Sequence, residues 1–376
     1  MKKLLTGLVS LLFIALGGGA AWADNGRDRE TVGDRNAAKL FATLPNGMRF
    51  PEGITANPMN GDIYVSTFDA PSNANPDPNN RLLRFDRHGR LEAVRDFGHD
   101  PLLGLAFDRV HKKVYIATVG DFSGTGSRIQ RIAANFNSGT VPEFVADIPG
   151  PASAPGPRTV ENPDTSEDTI TFEAFARVPN ALAFDGHGNL YVSDSFQGAV
   201  FAIDNPDACG DAPKPACSVA TFVQDPLLAT AGFPPFGANG LAFNADDSVL
   251  FVANTGDDRV LMVNVNTKEV TVFAESINGA DGLVFDRHGL LWVCANQNDE
   301  VVALNQNGRV VHRLGDFQGI RRNGAPKGLL FPASPVIAGD EMFVTNLALP
   351  LTPTAGDEPE EDVTRFTVSR IKLPRH

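Results

Sequence analysis

Four oxygen-bearing side chains, Glu52, Asn180, Asn239 and Asp281, head near-identical short segments spread along 376 residues. Each is followed by a small residue and then an apolar run: Glu52-Gly53-Ile54, Asn180-Ala181-Leu182-Ala183-Phe184, Asn239-Gly240-Leu241-Ala242-Phe243 and Asp281-Gly282-Leu283-Val284-Phe285. Two carboxylates and two amides are hard oxygen donors carrying two negative charges. That set suits Ca2+, with waters completing a shell of roughly six to eight ligands. No equivalent position offers Cys or His, which argues against zinc or copper. Without a cation, two carboxylates and two amides converging on one spot would be poorly satisfied. The competing reading is that polar residues simply line a wet channel.

The segment around Asn180 shows the kind of element that positions such a residue. It reads as a strand through Phe184, a tight Asp185-Gly186-His187-Gly188 turn, and a second strand from Leu190 to Ser193. The same unit occurs six times, the two remaining copies being Leu103-Gly104-Leu105-Ala106-Phe107 and Lys327-Gly328-Leu329-Leu330-Phe331. Apolar alternation with Asn-Gly and His-Gly turns predicts antiparallel meanders, and no stretch keeps a helical period for long. A core unit of roughly 40–45 residues plus insertions lies in the propeller range. The expected fold is therefore all-β, a six-bladed β-propeller of four-stranded blades. The last copy supplies only three strands, at 328–331, 342–345 and 368–373. An orphan strand at 39–44 would complete that blade and close the ring, leaving no exposed edge.

In such a blade the innermost strand runs down the channel from its first residue. Glu52, Leu103, Asn180, Asn239, Asp281 and Lys327 should then gather at one mouth. Insertions at 69–80, 148–177, 224–238 and 347–362 fall at the same mouth and read as lids or walls. His88, His111, His187 and His288 belong to turns at the far end. His99 is the one histidine on a loop at the mouth and is a candidate base.

Residues 1–23 read as a cleaved secretory signal. Lys2 and Lys3 give the positive start, Leu4 to Leu16 an apolar run too short to span a bilayer, and Ala21-Trp22-Ala23 the cleavage site. Residues 24–36 form a charged leader and 37–376 the propeller, so the expected location is periplasmic or secreted, with no membrane association after cleavage. The formal net charge is −13 and no basic cluster is present, which excludes nucleic acid as an expected partner. A monomer with a small-molecule substrate is expected. Cys209 and Cys217 lie close together in an exported chain and should form a disulfide pinning a surface loop. Cys294, within Leu291-Trp292-Val293-Cys294-Ala295, reads as a small buried hydrophobe.

Over about residues 38–373 the chain resembles the calcium-dependent six-bladed propellers of the senescence marker protein/gluconolactonase (SGL) group, to which paraoxonases and diisopropylfluorophosphatase are related. There a central calcium is held by a Glu in the first blade, an Asn in each of two middle blades and an Asp in the next. The pattern falls on Glu52 (Arg49-Phe50-Pro51-Glu52-Gly53), Asn180 (Pro179-Asn180-Ala181-Leu182), Asn239 (Ala238-Asn239-Gly240-Leu241) and Asp281 (Ala280-Asp281-Gly282-Leu283). The resemblance implies a calcium-dependent hydrolase of a lactone or related ester, the metal polarising a carbonyl. Asp281 or Glu52 would activate water or attack directly, and Lys327 would stabilise developing negative charge. Two departures stand out: the paraoxonases and diisopropylfluorophosphatase bring a histidine to the channel mouth, and relatives commonly carry a small polar residue where Lys327 stands. The alternative is a non-catalytic exported propeller that binds a partner or ligand through its mouth loops, a choice that fold alone does not make.

Overall fold

The structure is a computed structural model. It describes residues 37–374 apart from 72–75, 123, 151–154, 163, 173–176, 211–214 and 353–354. The proposed signal and leader lie outside the described residues.

Six four-stranded antiparallel sheets make up the fold. Blade 1 is β2 (Pro51–Ala56), β3 (Ile63–Thr67), β4 (Asn80–Phe85) and β5 (Leu91–Gly98). Blade 2 is β6 (Leu102–Asp108), β7 (Lys113–Thr118), β8 (Arg128–Ala133) and β9 (Glu143–Asp147). Blades 3 to 5 begin with β12 (Pro179–Phe184), β16 (Ala238–Phe243) and β20 (Ala280–Phe285), and blade 6 with β24 (Pro332–Ala338). These six strands are the innermost of their sheets. Each packs on the next around the ring, and β24 packs on β2. Among the described residues no helix is long and apolar enough to cross a membrane.

The expected closure is present. β1 (Lys39–Thr43) pairs antiparallel with β26 (Thr367–Lys372), joining Lys39 to Arg370 and Thr43 to Thr367. Phe41, Ile54, Phe85, Phe343 and Val368 share one core cluster, so residues from both ends of the chain bury one another. The Phe41 and Phe343 rings meet edge-on at 4.7 Å. Burying two phenylalanines with this contact is worth several kcal/mol, on the order of 1.5–3 per side chain.

Local chemistry explains the repeated hairpins. Asp86 Oδ1 accepts hydrogen bonds from the backbone of His88 and Arg90, Asp185 Oδ1 from His187 and Asn189, and Asp286 Oδ1 from His288 and Leu290. These histidines are turn residues, as expected. Close approach of the inner strands explains the glycines. A Cβ on Gly53 would collide with the Leu103 carbonyl oxygen, and one on Gly104 with the Asn180 carbonyl oxygen.

One element departs from expectation. The innermost strand of blade 6 is Pro332–Ala338, not 328–331. Gly328 and Phe331 both have positive φ, at 93° and 43°, so the preceding segment is a loop despite its Gly-Leu-x-Phe pattern. Cys209 and Cys217 are bonded, with an S–S distance of 1.96 Å, and Cys294 is free and buried.

Candidate metal centre

Every inner strand carries a register shift at the same place, between its first and fourth residues. The pairs are Pro51/Ile54, Leu102/Leu105, Pro179/Leu182, Ala238/Leu241, Ala280/Leu283 and Pro332/Pro335. A bulge of this kind takes a residue out of the ladder and re-aims its side chain. The second residue of each strand sits in it: Glu52, Leu103, Asn180, Asn239, Asp281 and Ala333. The bulge leaves backbone groups to be satisfied, and hydroxyls on the second strands do so. Gly53 N donates to Ser66 Oγ at 2.9 Å, Ala181 N to Ser193 Oγ at 2.9 Å and Ser334 N to Thr345 Oγ1 at 3.0 Å.

Glu52, Asn180, Asn239 and Asp281 all line one cavity of ≈ 40 Å³. A volume of that size is a few times what a single water needs. All four are buried, Glu52 and Asp281 to 4 % exposure each. Lys327 is not with them. It is exposed on the loop before β24, and the sixth position belongs to the fully buried Ala333. His99 is elsewhere too, its side chain 67 % exposed and its Nε2 2.7 Å from Asp77 Oδ1.

A second set of polar residues, not anticipated from the sequence, fixes the first. Each follows the second strand of its blade: Ser195 after β13 (Leu190–Asp194), Thr255 after β17 (Val249–Asn254) and Asn296 after β21 (Leu291–Ala295). Ser195 Oγ gives its proton to the Ala238 carbonyl at 2.8 Å, and Thr255 Oγ1 gives its proton to the Ala280 carbonyl at 2.8 Å. Each hydroxyl has one proton, so toward its own blade it can only accept. It accepts from Asn180 Nδ2 at 2.9 Å and from Asn239 Nδ2 at 2.9 Å respectively. One hydrogen of each amide nitrogen is thereby committed to a hydroxyl, which orients the amide and leaves Oδ1 to serve as a donor atom. In blade 5 Asn296 Nδ2 donates to Asp281 Oδ2 at 3.1 Å. The recurring sequence signal was available: a polar residue 15 or 16 positions after each ring residue in blades 3, 4 and 5.

What remains is a group of buried oxygens without donors. Among the described residues, Glu52 Oε2, Asp281 Oδ1 and Asn296 Oδ1 have no hydrogen-bond partner. Burial pushes the Glu52 carboxyl well above the usual carboxylate range, and the Asp281 charge adds to the effect. Burial also raises Asp281, while hydrogen bonds from Asn296, Asn239 and the Gly282 backbone pull it back. The Cys294 thiol is pushed up by burial first, then by the charges of Asp281 and Glu52, so it is a poor nucleophile. Among the described residues no group of three or more His, Cys, Asp or Glu could hold a metal. The donor set here is of another kind, two carboxylates and two amide oxygens. Orphaned, anionic and oxygen-only, it fits a hard cation such as Ca2+.

Apart from these polar residues the described liners of the cavity are apolar. Phe68, Phe331 and Leu347 are buried against it, while Phe236, Leu349 and Leu351 are half-buried nearer solvent. Phe68, Phe236 and the leucines come from or adjoin three of the insertions expected at the mouth. The fourth insertion carries the hairpin of β10 (Arg158–Glu161) and β11 (Glu167–Ile170). Arg158 Nη2 reaches Asp257 Oδ2 of blade 4 at 2.6 Å, and Thr230 Oγ1 donates to Asp257 Oδ1 at 2.5 Å.

The resemblance drawn from the sequence is borne out over part of the chain. Residues 235–315 match the family described as SMP-30/Gluconolactonase/LRE-like region. That stretch carries Asn239, Thr255, Asp281 and Asn296. No curated protein matches the chain by sequence. Solved structures do match in fold. A luciferin-regenerating enzyme superposes with a TM-score of 0.55 at 13 % identity, covering 87 % of this chain and 92 % of that one. A calcium-binding protein, regucalcin, from Agrobacterium tumefaciens str. C58 gives 0.53 at 15 %, covering 90 % and 97 %. Virginiamycin B lyase from Staphylococcus aureus gives 0.51 at 13 %, covering 90 % and 100 %. At such identities the likeness is one of fold alone.

Proposed function

We propose that this protein is a hydrolase of lactones or related esters that depends on a calcium ion held by Glu52, Asn180, Asn239 and Asp281. The observation that carries the reading is the pair of buried carboxylate oxygens, Glu52 Oε2 and Asp281 Oδ1, left without partners among the described residues beside amides each oriented by a hydroxyl. An ion bound there supplies Lewis acidity toward a carbonyl oxygen. Asp281 Oδ1 would face the ion, so the atom that would take a proton from a water attacking the acyl carbon is Asp281 Oδ2, which accepts one hydrogen bond from Asn296 and keeps a second lone pair. As the acyl C–O bond breaks, the same atom returns a proton to the departing alkoxide, giving the hydroxy acid. Glu52, through the oxygen that the ion would leave free, is the second candidate for that role. The apolar wall excludes bulk water and strengthens every charge interaction beneath it. Lys327, exposed and outside the cavity, has no part in this scheme.

A periplasmic or secreted location belongs to the same proposal, supported by the disulfide and the signal-like first 23 residues.

The test is calorimetric titration of chelated protein with calcium, beside a lactone and aryl-ester assay with and without chelator. Wild type should bind one calcium and lose hydrolysis on chelation. Asp281→Ala should lose calcium affinity by orders of magnitude, and Leu103→Ala should keep it. Absent uptake, or equal uptake by wild type and Asp281→Ala, would remove the centre and the activity built on it.

A further inference from the structure

We infer that the substrate of this site has a hydrocarbon body, an alkyl lactone or ester rather than a polyhydroxylated one; the inference rests on the hydrolase reading above. The cavity divides sharply by chemistry. Its polar liners are the four ring residues with Thr255 and Asn296, and all of them are buried. Thr255 is committed to Asn239 and the Ala280 carbonyl, and Asn296 Nδ2 to Asp281. With these donors committed and the ring oxygens given to an ion, Asn296 Oδ1 remains to meet one substrate hydroxyl, fewer partners than a polyhydroxylated body needs.

Among the described residues the other liners offer no polar side chain. Phe68 follows β3 in blade 1, Phe236 lies on the connection from blade 3 to blade 4, and Leu349 and Leu351 lie on the loop after β25 (Glu341–Asn346) in blade 6. Separate stretches of chain thus bring hydrocarbon to one place. The aromatic side is braced from behind, with Phe68 against Phe122 at 6.0 Å and Phe236 against Phe196 at 5.5 Å. Phe233, 60 % exposed, adjoins in sequence the cavity liner Pro234. A substrate longer than the small cavity would lie along this rim.

Such a surface discriminates in both directions. A substrate hydroxyl pressed against it without a partner weakens binding by roughly ten- to a hundredfold. Each methylene moved from water onto it strengthens binding by up to roughly fourfold. A sugar lactone, with a hydroxyl on most carbons, is disfavoured and an alkyl lactone favoured.

The test uses the full-length mature protein, calcium-loaded and chelated, with five-membered lactones of equal ring size: one unsubstituted, a series with lengthening alkyl chains, and one polyhydroxylated. Hydrolysis is followed by acid release, and binding by the shift in thermal unfolding. The expected result is kcat/KM rising about two- to fourfold per methylene, with the polyhydroxylated lactone at least a hundredfold below the best alkyl one. Leu351→Asp, at a half-buried position, should flatten the chain-length series while Leu351→Met preserves it. The wild-type series alone decides the matter if the aspartate variant does not fold. Hydrolysis that favours the polyhydroxylated lactone overturns the inference and leaves the hydrolase reading standing. Alkyl lactones that bind with chain-length dependence but are never hydrolysed support the inference and overturn the hydrolase reading. No binding and no hydrolysis of any lactone overturns both.

Discussion

Thr345 Oγ1 donates a 2.7 Å hydrogen bond to the backbone carbonyl of Glu52, joining residues 293 positions apart across the seam between the last blade and the first. The same oxygen accepts from Ser334 N within the blade-6 bulge. One hydroxyl therefore satisfies two backbone groups and fixes the strand that carries a ring carboxylate. Thr345→Val keeps the shape and removes the hydroxyl. It should cost about 1–3 kcal/mol, read by denaturant unfolding, and should weaken calcium binding by displacing Glu52. A variant with unchanged midpoint and unchanged affinity would separate the seam from the site.

The same seam depends on β1. Deleting residues 24–45 removes the outer strand of blade 6 and leaves β26 as an exposed edge. Phe41 and Leu44 leave the closing core with it. Thermal unfolding should shift down sharply and aggregation should rise. An unchanged melting temperature would contradict the closure.

The disulfide loop clamps two blades as well as closing on itself. Cys217 N donates to the Val145 carbonyl of β9 at 2.9 Å, and the buried Arg131 reaches the Pro206 carbonyl through Nη1 at 2.5 Å. Cys209→Ser with Cys217→Ser should cost about 2–4 kcal/mol and leave calcium affinity unchanged, since no described residue of this loop lines the cavity. Mass analysis of unreduced exported protein should find no free thiol in this peptide. Two free thiols there would count against the bond.

Much of this was legible because the determining patterns are local. Gly-Leu-x-Phe strands, their Asp-anchored turns and the missing fourth strand of the last repeat lead to six closed blades. Four ring positions follow from the strands alone. Blade 6 misleads because its inner strand, Pro332-Ala333-Ser334-Pro335, lacks that pattern, whereas 327–331 carries it. Proline is tolerated in that strand only because Pro332 opens it and Pro335 closes the bulge. That bulge is held by Thr345, a contact invisible before the strands are paired. The consequence is specific: Lys327→Ser should change neither calcium affinity nor turnover, with stability within about 0.5 kcal/mol of wild type. A fall in turnover at full calcium occupancy would restore the lysine to the site.

The metal-free protein should lose stability as pH rises. Burial holds the Glu52 carboxyl well above its ordinary range and raises that of Asp281 to about 7. A carboxyl with a raised folded pKa keeps its proton longer in the folded chain than in the unfolded one. Its contribution is fully present below the unfolded range, about pH 4, and is lost as pH climbs through the folded value. Asp194, raised to about 6 by burial, adds to the same trend. Asp281→Asn should therefore flatten part of the pH dependence of unfolding in chelated protein. Calcium competes with these protons, so its affinity in wild type should rise with pH between about 5 and 8. Affinity independent of pH there would mean that neither carboxyl is a ligand.

The orientation of the asparagines gives the sharpest test, because it separates a ligand from what aims it. Thr255 Oγ1 gives its proton to the Ala280 carbonyl and accepts from Asn239 Nδ2, so its loss frees two groups at once. In Thr255→Val the amide of Asn239 has no acceptor behind it and can turn its nitrogen toward the cation, where a donor is repelled. Calcium affinity should fall about 10–100-fold, although no proposed ligand has been changed. Thr255→Ser restores the hydroxyl and should recover most of that loss. Ser195→Ala should act in the same way on Asn180. Leu347 follows the second strand of blade 6 at the corresponding position but has no hydroxyl to offer a ring amide, so Leu347→Val should leave affinity within a few-fold of wild type. If Thr255→Val binds calcium as tightly as Thr255→Ser, the hydroxyls only stitch neighbouring blades together. If affinity falls and the serine recovers it, they decide which end of each amide meets the ion.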